Sequence, residues 1–389
     1  MASRLKDFVL VQNEKEADII VVNSCTVTNS ADSNIRNYIS KQSKENKKVI
    51  LAGCGAFSKG EELFKQKKIF GVFGHSQKEN INELLKREEN FFELGDLNSV
   101  DKTIVTEFKN KTKAFIKIQE GCNFECSYCI IPSVRGKARS QDEDLILKQI
   151  TTLANHGFGE FVLTGTNMGS YGRDKNSSLA KLLKKISLIK GVKRVRLGSI
   201  EPIQIDDEFK ELLGESFLEK HLHIALQHTN EEMLRIMRRR NSLKKDLLLF
   251  EEIADKGFAL GTDFIVGHPG ESQKIWENAI ENFKRFPITH IHAFTFSKRD
   301  GTHSAKLKDD VRGDIAKKRL KELESIVAKN NYDFRLKNNN NLLVLIEDQN
   351  KGYDQYFNQV TVQTDSDISK SWVLLNKVEV KKDGNFALL

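Results

Sequence analysis

The chain has 389 residues, of which 39% are hydrophobic and 30% charged, and its formal net charge is +8. This length predicts two or three domains, and the composition argues against a disordered or fibrous protein. The N-terminus lacks a signal-peptide pattern and no apolar run approaches the roughly 18 residues that span a bilayer, so we expect a cytoplasmic protein without a membrane segment. Five cysteines in a reducing compartment argue against a disulfide framework.

Residues 1–95 are predicted to form a Rossmann-like α/β domain with a parallel sheet. Three buried strands are expected in EADIIVVNSC, KKVILAGCG and IFGVFGH, with a polar helix in NIRNYISKQSKEN. Cys25 and Cys54 each follow a strand, at the edge where parallel sheets bind ligands. From the residues alone, the alternative is that both are small buried side chains at strand ends. The polar stretch FFELGDLNSVDKTIVTEFKNKT that follows is interpreted as a linker.

Residues 108–333 contain six strand candidates separated by amphipathic helices such as DEDLILKQITTLANHGF. The strand candidates are AFIKIQEGC, EFVLTGTN, KRVRLGSIEP, HLHIALQH, ALGTDFIVGHPGE and THIHAFTFS. Six such repeats predict an open or partial (β/α)6 barrel, whose active site would lie at the carboxyl ends of the strands. The tail, residues 334–389, has short alternating runs between turn residues, which predicts a small β-barrel.

Three of the five cysteines lie in the short stretch GCNFECSYCIIP, as Cys122, Cys126 and Cys129. Thiolates at this C-x3-C-x2-C spacing select zinc, copper(I) or an iron–sulfur cluster. A structural zinc needs four ligands, and the nearest downstream histidine, His156, lies beyond a predicted helix. Three thiolates therefore favour a [4Fe–4S] cluster with one open iron. A zinc knuckle completed by a distant ligand remains the alternative.

The segment KIQEGCNFECSYCIIPSVRGKARS resembles the signature of the radical S-adenosylmethionine methylthiotransferases. Among the three known kinds, the chain is most similar to the one that modifies threonylcarbamoyladenosine in tRNA. The segments that carry this likeness are VLTGTNMGSYG, RLGSIEPIQIDDE, HLHIALQ, MRRR, DFIVGHPGES and FTFSKRDGT. The resemblance implies an N-terminal cluster domain, a radical S-adenosylmethionine barrel and a C-terminal RNA-binding barrel of the TRAM type.

The resemblance also implies roles for individual residues. Cys122, Cys126 and Cys129 would hold the radical [4Fe–4S] cluster, which binds and cleaves S-adenosylmethionine, while Cys25 and Cys54 would hold a second, auxiliary [4Fe–4S] cluster. The family's first auxiliary cysteine has no counterpart before Cys25, so we expect a missing first strand and an incomplete auxiliary site. The residues implied to bind S-adenosylmethionine are Thr164, Gly165, Asn167, Ser199, Glu201, Gln227, Asp263 and Gly267.

The family's substrate implies an RNA-binding surface and several partners. The arginine candidates for contact with RNA phosphates are Arg135, Arg139, Arg238, Arg239 and Arg240, and the tail adds Tyr353, Tyr356, Phe357, Trp372, Lys377, Lys381 and Lys382. The expected partners are a tRNA anticodon stem-loop, an electron donor such as flavodoxin or ferredoxin, and a sulfur donor, with the protein a monomer. The alternatives are isopentenyladenosine in tRNA or a ribosomal protein aspartate as substrate, another radical enzyme acting on protein, and a non-catalytic iron–sulfur RNA-binding protein.

Overall fold

The computed structural model describes residues 1, 4–26, 29–45, 47–108 and 111–389. The chain divides into two compact units, each built from separate stretches of sequence. The first unit contains Met1–Val105, Glu120–Gln141 and Ser297–Lys306; the second contains Thr106–Gln119, Asp142–Phe296 and Leu307–Leu389. The three predicted segments, 1–95, 108–333 and 334–389, remain a prediction of domain organisation. Among the described residues, no helix combines the length and hydropathy needed to cross a bilayer.

The first unit is built on a four-stranded parallel sheet in the order β1-β2-β3-β4. These strands are β1 (Ile19–Ser24), β2 (Lys48–Gly53), β3 (Gly71–Phe73) and β4 (Phe91–Glu93). Every residue of β2 after Lys48 is buried, as expected for a parallel strand covered on both faces. The helices of this part are α1 (Asn29–Gln42), α2 (Cys54–Ser58), α3 (Gly60–Lys65) and α4 (Ile81–Lys86).

One expectation for this sheet is wrong, because the predicted linker begins with a strand. β4 pairs in parallel with β3, with Phe91 beside Gly71 and Glu93 beside Phe73. Phe91 is buried and packs edge-on against Phe70, with ring centroids 6.2 Å apart. Burial of this aromatic side chain stabilises a three-residue strand that is too short to show any periodicity in the sequence.

The second unit contains the six parallel strands predicted for the barrel. They form two three-stranded sheets, β5-β8-β9 and β10-β11-β12, connected by isolated bridges at Val195–Leu218 and Ile200–Ile224. The bounds are β5 (Lys113–Lys117), β8 (Glu160–Thr164), β9 (Arg194–Leu197), β10 (His221–His223), β11 (Ala259–Val266) and β12 (His290–Thr295). Two short strands, β6 (Gln119–Glu120) and β7 (Arg139–Ser140), flank the cysteine segment in the sequence, and β7 belongs to the first unit. The mixed α/β class and the partial barrel are thus as predicted.

Helices connect the barrel strands and cover their apolar faces. They are α6 (Glu143–Asn155), α7 (Leu179–Ser187), α8 (Asp207–Lys210), α9 (Glu231–Ile236), α10 (Leu243–Asp255), α11 (Gln273–Phe283) and α12 (Gly313–Lys337), whereas α5 (Ile131–Arg135) belongs to the first unit. Most predicted strands extend past the observed ends, since polar turns follow them directly. β10 is the clearest case: it ends at His223, and Gln227 has a positive φ of 66°.

The tail forms its own six-stranded sheet in the order β16-β13-β14-β15-β18-β17. The strands are β13 (Asn340–Asp348), β14 (Lys351–Tyr353), β15 (Gln359–Gln363), β16 (Trp372–Lys377), β17 (Glu379–Lys381) and β18 (Gly384–Leu388). All pairs are antiparallel except β15 with β18. This curled sheet agrees with the predicted all-β tail.

Buried ion pairs connect the tail sheet to the amino ends of β8 and β9. Glu160 lies between Arg194 and Arg196, with Nε–Oε distances of 2.6 and 2.7 Å, and Arg196 also pairs with Glu219. The two guanidinium groups donate to backbone carbonyls of the tail, at Leu343, Tyr353 and Asp354. Since these charges are buried and matched, this end of the barrel is a closed structural network.

Candidate functional site

The three clustered cysteines lie in a loop of the first unit that is fixed by backbone contacts. Gly121 has a φ of +73°, and a Cβ at this position would overlap the carbonyl oxygen of Lys137, so glycine is required there. The Cys122 amide donates to Gly136 O at 3.1 Å, and the Cys129 amide to Cys126 O at 3.0 Å. All three thiols are of intermediate burial. The loop therefore presents three partly accessible sulfur atoms from one short span.

A serine pair fastens this loop to another segment of the same unit. The Ser304 amide donates to Ser127 O, and the two hydroxyl oxygens lie 2.8 Å apart. Both serines are buried. The loop is consequently fixed at its centre as well as at its ends, a degree of order that cluster ligation requires of its ligands.

Cys25 and Cys54 follow the carboxyl ends of the neighbouring strands β1 and β2. Ser24 is opposite Gly53 in the parallel register, so the two cysteines follow a matched pair of residues. Cys25 is exposed and Cys54 buried. Gly53, like Gly121, has a positive φ (+85°) and no room for a Cβ, here because of Ser24 O. Sheet register, rather than closeness in sequence, places both cysteines at the same edge of the sheet.

Arg135, at the end of α5, bridges the two groups of cysteine-bearing elements in the first unit. Its Nε donates to Cys54 Sγ at 3.0 Å, and its Nη1 to Glu120 Oε1 at 2.8 Å. Glu120 directly precedes the cysteine loop, and its other oxygen accepts from Arg139 Nη2 at 3.0 Å. Arg135 thus places a positively charged hydrogen-bond donor at the Cys54 sulfur.

A pocket of about 670 Å³ lies in the first unit, beside α1, α2 and the residues that follow the cysteine loop. Its lining includes four basic side chains, Arg36, Lys59, Lys298 and Arg299, against the carboxylates of Asp32 and Asp300. Arg299 is buried and donates to Asp32 Oδ2 at 2.8 and 3.0 Å, from its two Nη atoms. The pocket is within the size range that takes a small organic ligand such as a nucleoside.

In the second unit, the residues implied to bind S-adenosylmethionine follow the barrel strands, as predicted. Thr164 ends β8, Gly165 follows it, and the Asn167 amide donates to Gln119 Oε1 at 2.8 Å. Gly267 follows β11 with a φ of +75°, and its amide donates to Glu271 Oε2 at 2.5 Å. The Gln227 amide donates to Asp263 O at 2.9 Å. Backbone amides and short polar side chains thus lie at several strand ends, and their cofactor role remains a prediction.

Two predicted ligands in this unit already have strong side-chain partners. Glu201 forms a bidentate ion pair with Arg239, at 2.9 and 2.5 Å. Asp263 Oδ1 lies 3.1 Å from His223 Nε2 and 3.6 Å from His292 Nδ1, and its Oδ2 accepts from Ser199 Oγ at 3.2 Å. Burial would raise the pKa of Asp263, but the two imidazoles lower it by more, so that this pKa lies below its usual range and the carboxylate is ionised.

The predicted RNA-binding arginines differ in accessibility. Arg238 and Arg240 are exposed. Arg139 is buried, and its guanidinium donates to Glu120 and to the backbone carbonyls of Ser99, Arg135 and Lys137. The Arg239 side chain is only 2% exposed and is paired with Glu201. RNA contact through Arg139 or Arg239 would require these bonds to break, so the geometry favours the exposed pair.

The predicted stacking residues of the tail contact protein groups in the second unit. Phe357 stacks on His221 with centroids 5.2 Å apart, and Tyr353 stacks on Phe357 at 5.1 Å. Tyr356 is buried against Phe334, and Trp372 lies under the guanidinium of Arg194. Lys377, Lys381 and Lys382 are exposed. Contact between this tail and RNA stays a prediction.

The donor sets fit the groups that the sequence implies. Three thiols of intermediate burial, fixed in one loop, suit an iron–sulfur cluster with one open iron. Cys25 and Cys54, with Arg135 at the Cys54 sulfur, would offer two thiol donors to the auxiliary cluster that the sequence resemblance implies. Sequence reasoning missed the partners of these groups: Arg135 at Cys54, and the two histidines beside Asp263. The H-x-H spacing in HLH and HIH was the available signal.

Comparisons with known proteins agree on one family. Residues 116–283 match the Radical SAM superfamily and residues 1–74 match the uncharacterized protein family UPF0004. A Helicobacter pylori (strain J99) protein, provisionally named a methylthiotransferase, is 50% identical over 100% of this chain and 95% of its own length. The threonylcarbamoyladenosine tRNA methylthiotransferase MtaB of Aquifex aeolicus is 33% identical over 89% of this chain and 88% of its own.

Relatives named for the other two substrates, tRNA dimethylallyladenosine and ribosomal protein uS12, match at 31% and 32% identity. Among solved structures, the radical S-adenosylmethionine methyltransferase TsrM of Kitasatospora setae aligns with a TM-score of 0.56 and 16% identity. That alignment covers 72% of this chain and 64% of TsrM, and at this identity the likeness concerns the fold.

Proposed function

This chain belongs to the radical S-adenosylmethionine methylthiotransferase family, and on that premise we propose that it methylthiolates C2 of N6-threonylcarbamoyladenosine in the anticodon stem-loop of tRNA. The observation that carries this proposal is the pocket of about 670 Å³ beside the cysteine loop, with its four basic side chains. A nucleoside fits this volume, and basic side chains favour a substrate attached to phosphates. The sequence segments similar to the threonylcarbamoyladenosine kind support the choice of base.

Cys122, Cys126 and Cys129 would hold the radical cluster, which supplies the one-electron reduction that cleaves S-adenosylmethionine. Gly121 and the Ser127–Ser304 contact fix the loop that carries these thiols. Cys25 and Cys54 would hold the auxiliary cluster, with Arg135 supplying positive charge at one of the two sulfurs. Arg299 and Asp32, paired and buried, shape the wall of the pocket rather than move protons.

S-adenosylmethionine would be bound by groups at the strand ends of the second unit. Thr164, Gly165 and Asn167 offer backbone and amide groups, and Gln227 and Gly267 offer further backbone near β11. Ser199 and Glu201 would complete this set, with Glu201 oriented by Arg239. Asp263 faces two imidazoles instead and is not part of this set. The substrate places the protein in the cytoplasm, with an electron donor and a sulfur donor as partners.

The test is a reaction with defined substrates. The protein is reconstituted with iron and sulfide without oxygen, then given S-adenosylmethionine, a reductant and tRNA carrying either threonylcarbamoyladenosine or isopentenyladenosine. Digested nucleosides are analysed by mass spectrometry, and ribosomal protein uS12 is the third substrate. We expect the methylthio product only from threonylcarbamoyladenosine. A product from either other substrate, or cofactor cleavage with no methylthio product from any of the three, would refute this assignment. A Cys122→Ala variant is the negative control.

A further inference from the structure

Five ionisable side chains lie on three adjacent parallel strands of the second unit and have no part in the proposed function. His221 and His223 are on β10, Asp263 on β11, and His290 and His292 on β12. In the register, His223 is opposite Gly261, and Asp263 is opposite His292. Residues two apart on a strand share a face, so the five side chains converge on one side of the sheet.

Three of these side chains bring potential ligand atoms together. One atom each from His223, Asp263 and His292 lies within 4.8 Å of the other two. His223 Nε2 is buried and 3.1 Å from Asp263 Oδ1, yet it forms no aligned hydrogen bond with any described residue. Ligands of a common metal ion have this arrangement: the two atoms lie close together, but each points at the ion and not at the other atom. An imidazole donating to a carboxylate would instead direct its N–H at the oxygen.

The strand between the histidines makes room for them. A Cβ at Gly261 would lie 2.7 Å from His223 Nδ1 and 2.9 Å from His221 Nε2, so a larger residue would displace both rings. His221 and His290 form a second layer, with ring centroids 4.8 Å apart.

We propose that His223, Asp263 and His292 form a binding site for a divalent transition-metal ion of the zinc or ferrous-iron class. Two imidazoles and one carboxylate are a donor set that suits these ions and leaves coordination positions for water or a substrate oxygen. Ser199 Oγ donates to the second oxygen of Asp263. Carboxylates that bind metal ions are commonly oriented by a hydrogen bond of this kind. The site is distinct from all five cysteines.

Zinc is the probe, and its ligands are identified by X-ray absorption. The full chain is first reconstituted with its iron–sulfur clusters, so that the thiols are occupied, and then equilibrated with one equivalent of Zn²⁺ and desalted. We expect about one zinc per chain, with nitrogen and oxygen neighbours at ~2.0–2.1 Å. His292→Ala should weaken zinc affinity at least about tenfold. This variant should fold normally because the His292 side chain is 63% exposed.

The matched control is His156→Ala, which removes an exposed histidine of the same unit at the end of α6. It should bind zinc as the parent does. Asp263→Asn, which keeps the side-chain shape, should weaken binding like His292→Ala. Sulfur-only coordination, no retained zinc, or equal affinity in the parent and His292→Ala would overturn the proposal and leave a hydrogen-bonded cluster without an ion. The measurement involves no tRNA, so its outcome is independent of the substrate assignment.

Discussion

The two groups of cysteines in the first unit are assembled in different ways. Cys122, Cys126 and Cys129 come from one loop that is held by its own backbone bonds. Cys25 and Cys54 directly follow two neighbouring strands, whose last residues, Ser24 and Gly53, are paired in the register of a parallel sheet. A ligand set of the first kind depends on local sequence, whereas one of the second kind depends on the whole sheet being formed. The loop should therefore hold its cluster more firmly than the strand ends.

Removing the three loop thiols should have the largest effect. In a Cys122→Ala, Cys126→Ala, Cys129→Ala variant we expect complete loss of S-adenosylmethionine cleavage, because these three thiols are the ligands implied for the cluster that binds this cofactor. Iron should fall from about eight to about four atoms per chain, the remainder belonging to the strand-end pair. Iron and sulfide analysis after anaerobic reconstitution checks this. Zinc in place of iron in the parent would contradict the radical mechanism altogether.

Removing a strand-end thiol should separate the two chemistries. The family resemblance implies that the auxiliary cluster holds the sulfur that is transferred to the substrate. In Cys54→Ser we therefore expect S-adenosylmethionine cleavage to continue and methylthiolation of tRNA to stop. In the parent, a chelator should remove about four irons well before the other four, because two thiolates bind a cluster less firmly than three. Equal rates of iron loss from the two sites would contradict the expectation that the loop cysteines hold their cluster more firmly than the strand-end cysteines.

A variant of Arg135 tests whether cluster binding by Cys25 and Cys54 depends on side chains from other elements. Arg135→Gln removes the charge at Cys54 Sγ while Glu120 keeps Arg139. We expect about tenfold weaker retention of the second cluster, an effect typical of losing an outer-sphere partner.

Arg139→Gln is the matched control for Arg135. Arg139 binds the same Glu120 but otherwise donates to backbone carbonyls, and it is buried. This variant should lower the melting temperature more than Arg135→Gln and leave the ratio of the two iron populations unchanged. If both variants lose the second cluster equally, the contact of Arg135 with sulfur has no specific role.

The same contrast explains what could be predicted from the sequence. The cysteine loop and the six barrel strands follow from spacing and periodicity, which are local properties. The placement of Cys25 and Cys54 at strand ends also followed, because each cysteine directly succeeds an apolar run. The contacts of Arg135 with Cys54, Arg239 with Glu201, and His292 with Asp263 did not follow. Each joins residues distant in sequence, and charged side chains give no periodic signal of the partner that they will meet.

The glycines before the two groups offer the finest test, with the smallest expected effect. Gly53 and Gly121 both have positive φ and face a carbonyl oxygen where a Cβ would lie. We expect Gly53→Ala and Gly121→Ala each to lower the free energy of unfolding by about 1–3 kcal/mol, measured by urea denaturation. Their cluster effects should differ: Gly121→Ala should weaken the loop cluster and spare the pair, and Gly53→Ala the reverse. Each glycine directly precedes a cysteine of only one group, Cys54 or Cys122. Loss of both clusters in either variant would therefore show that the two cysteine groups are ordered together.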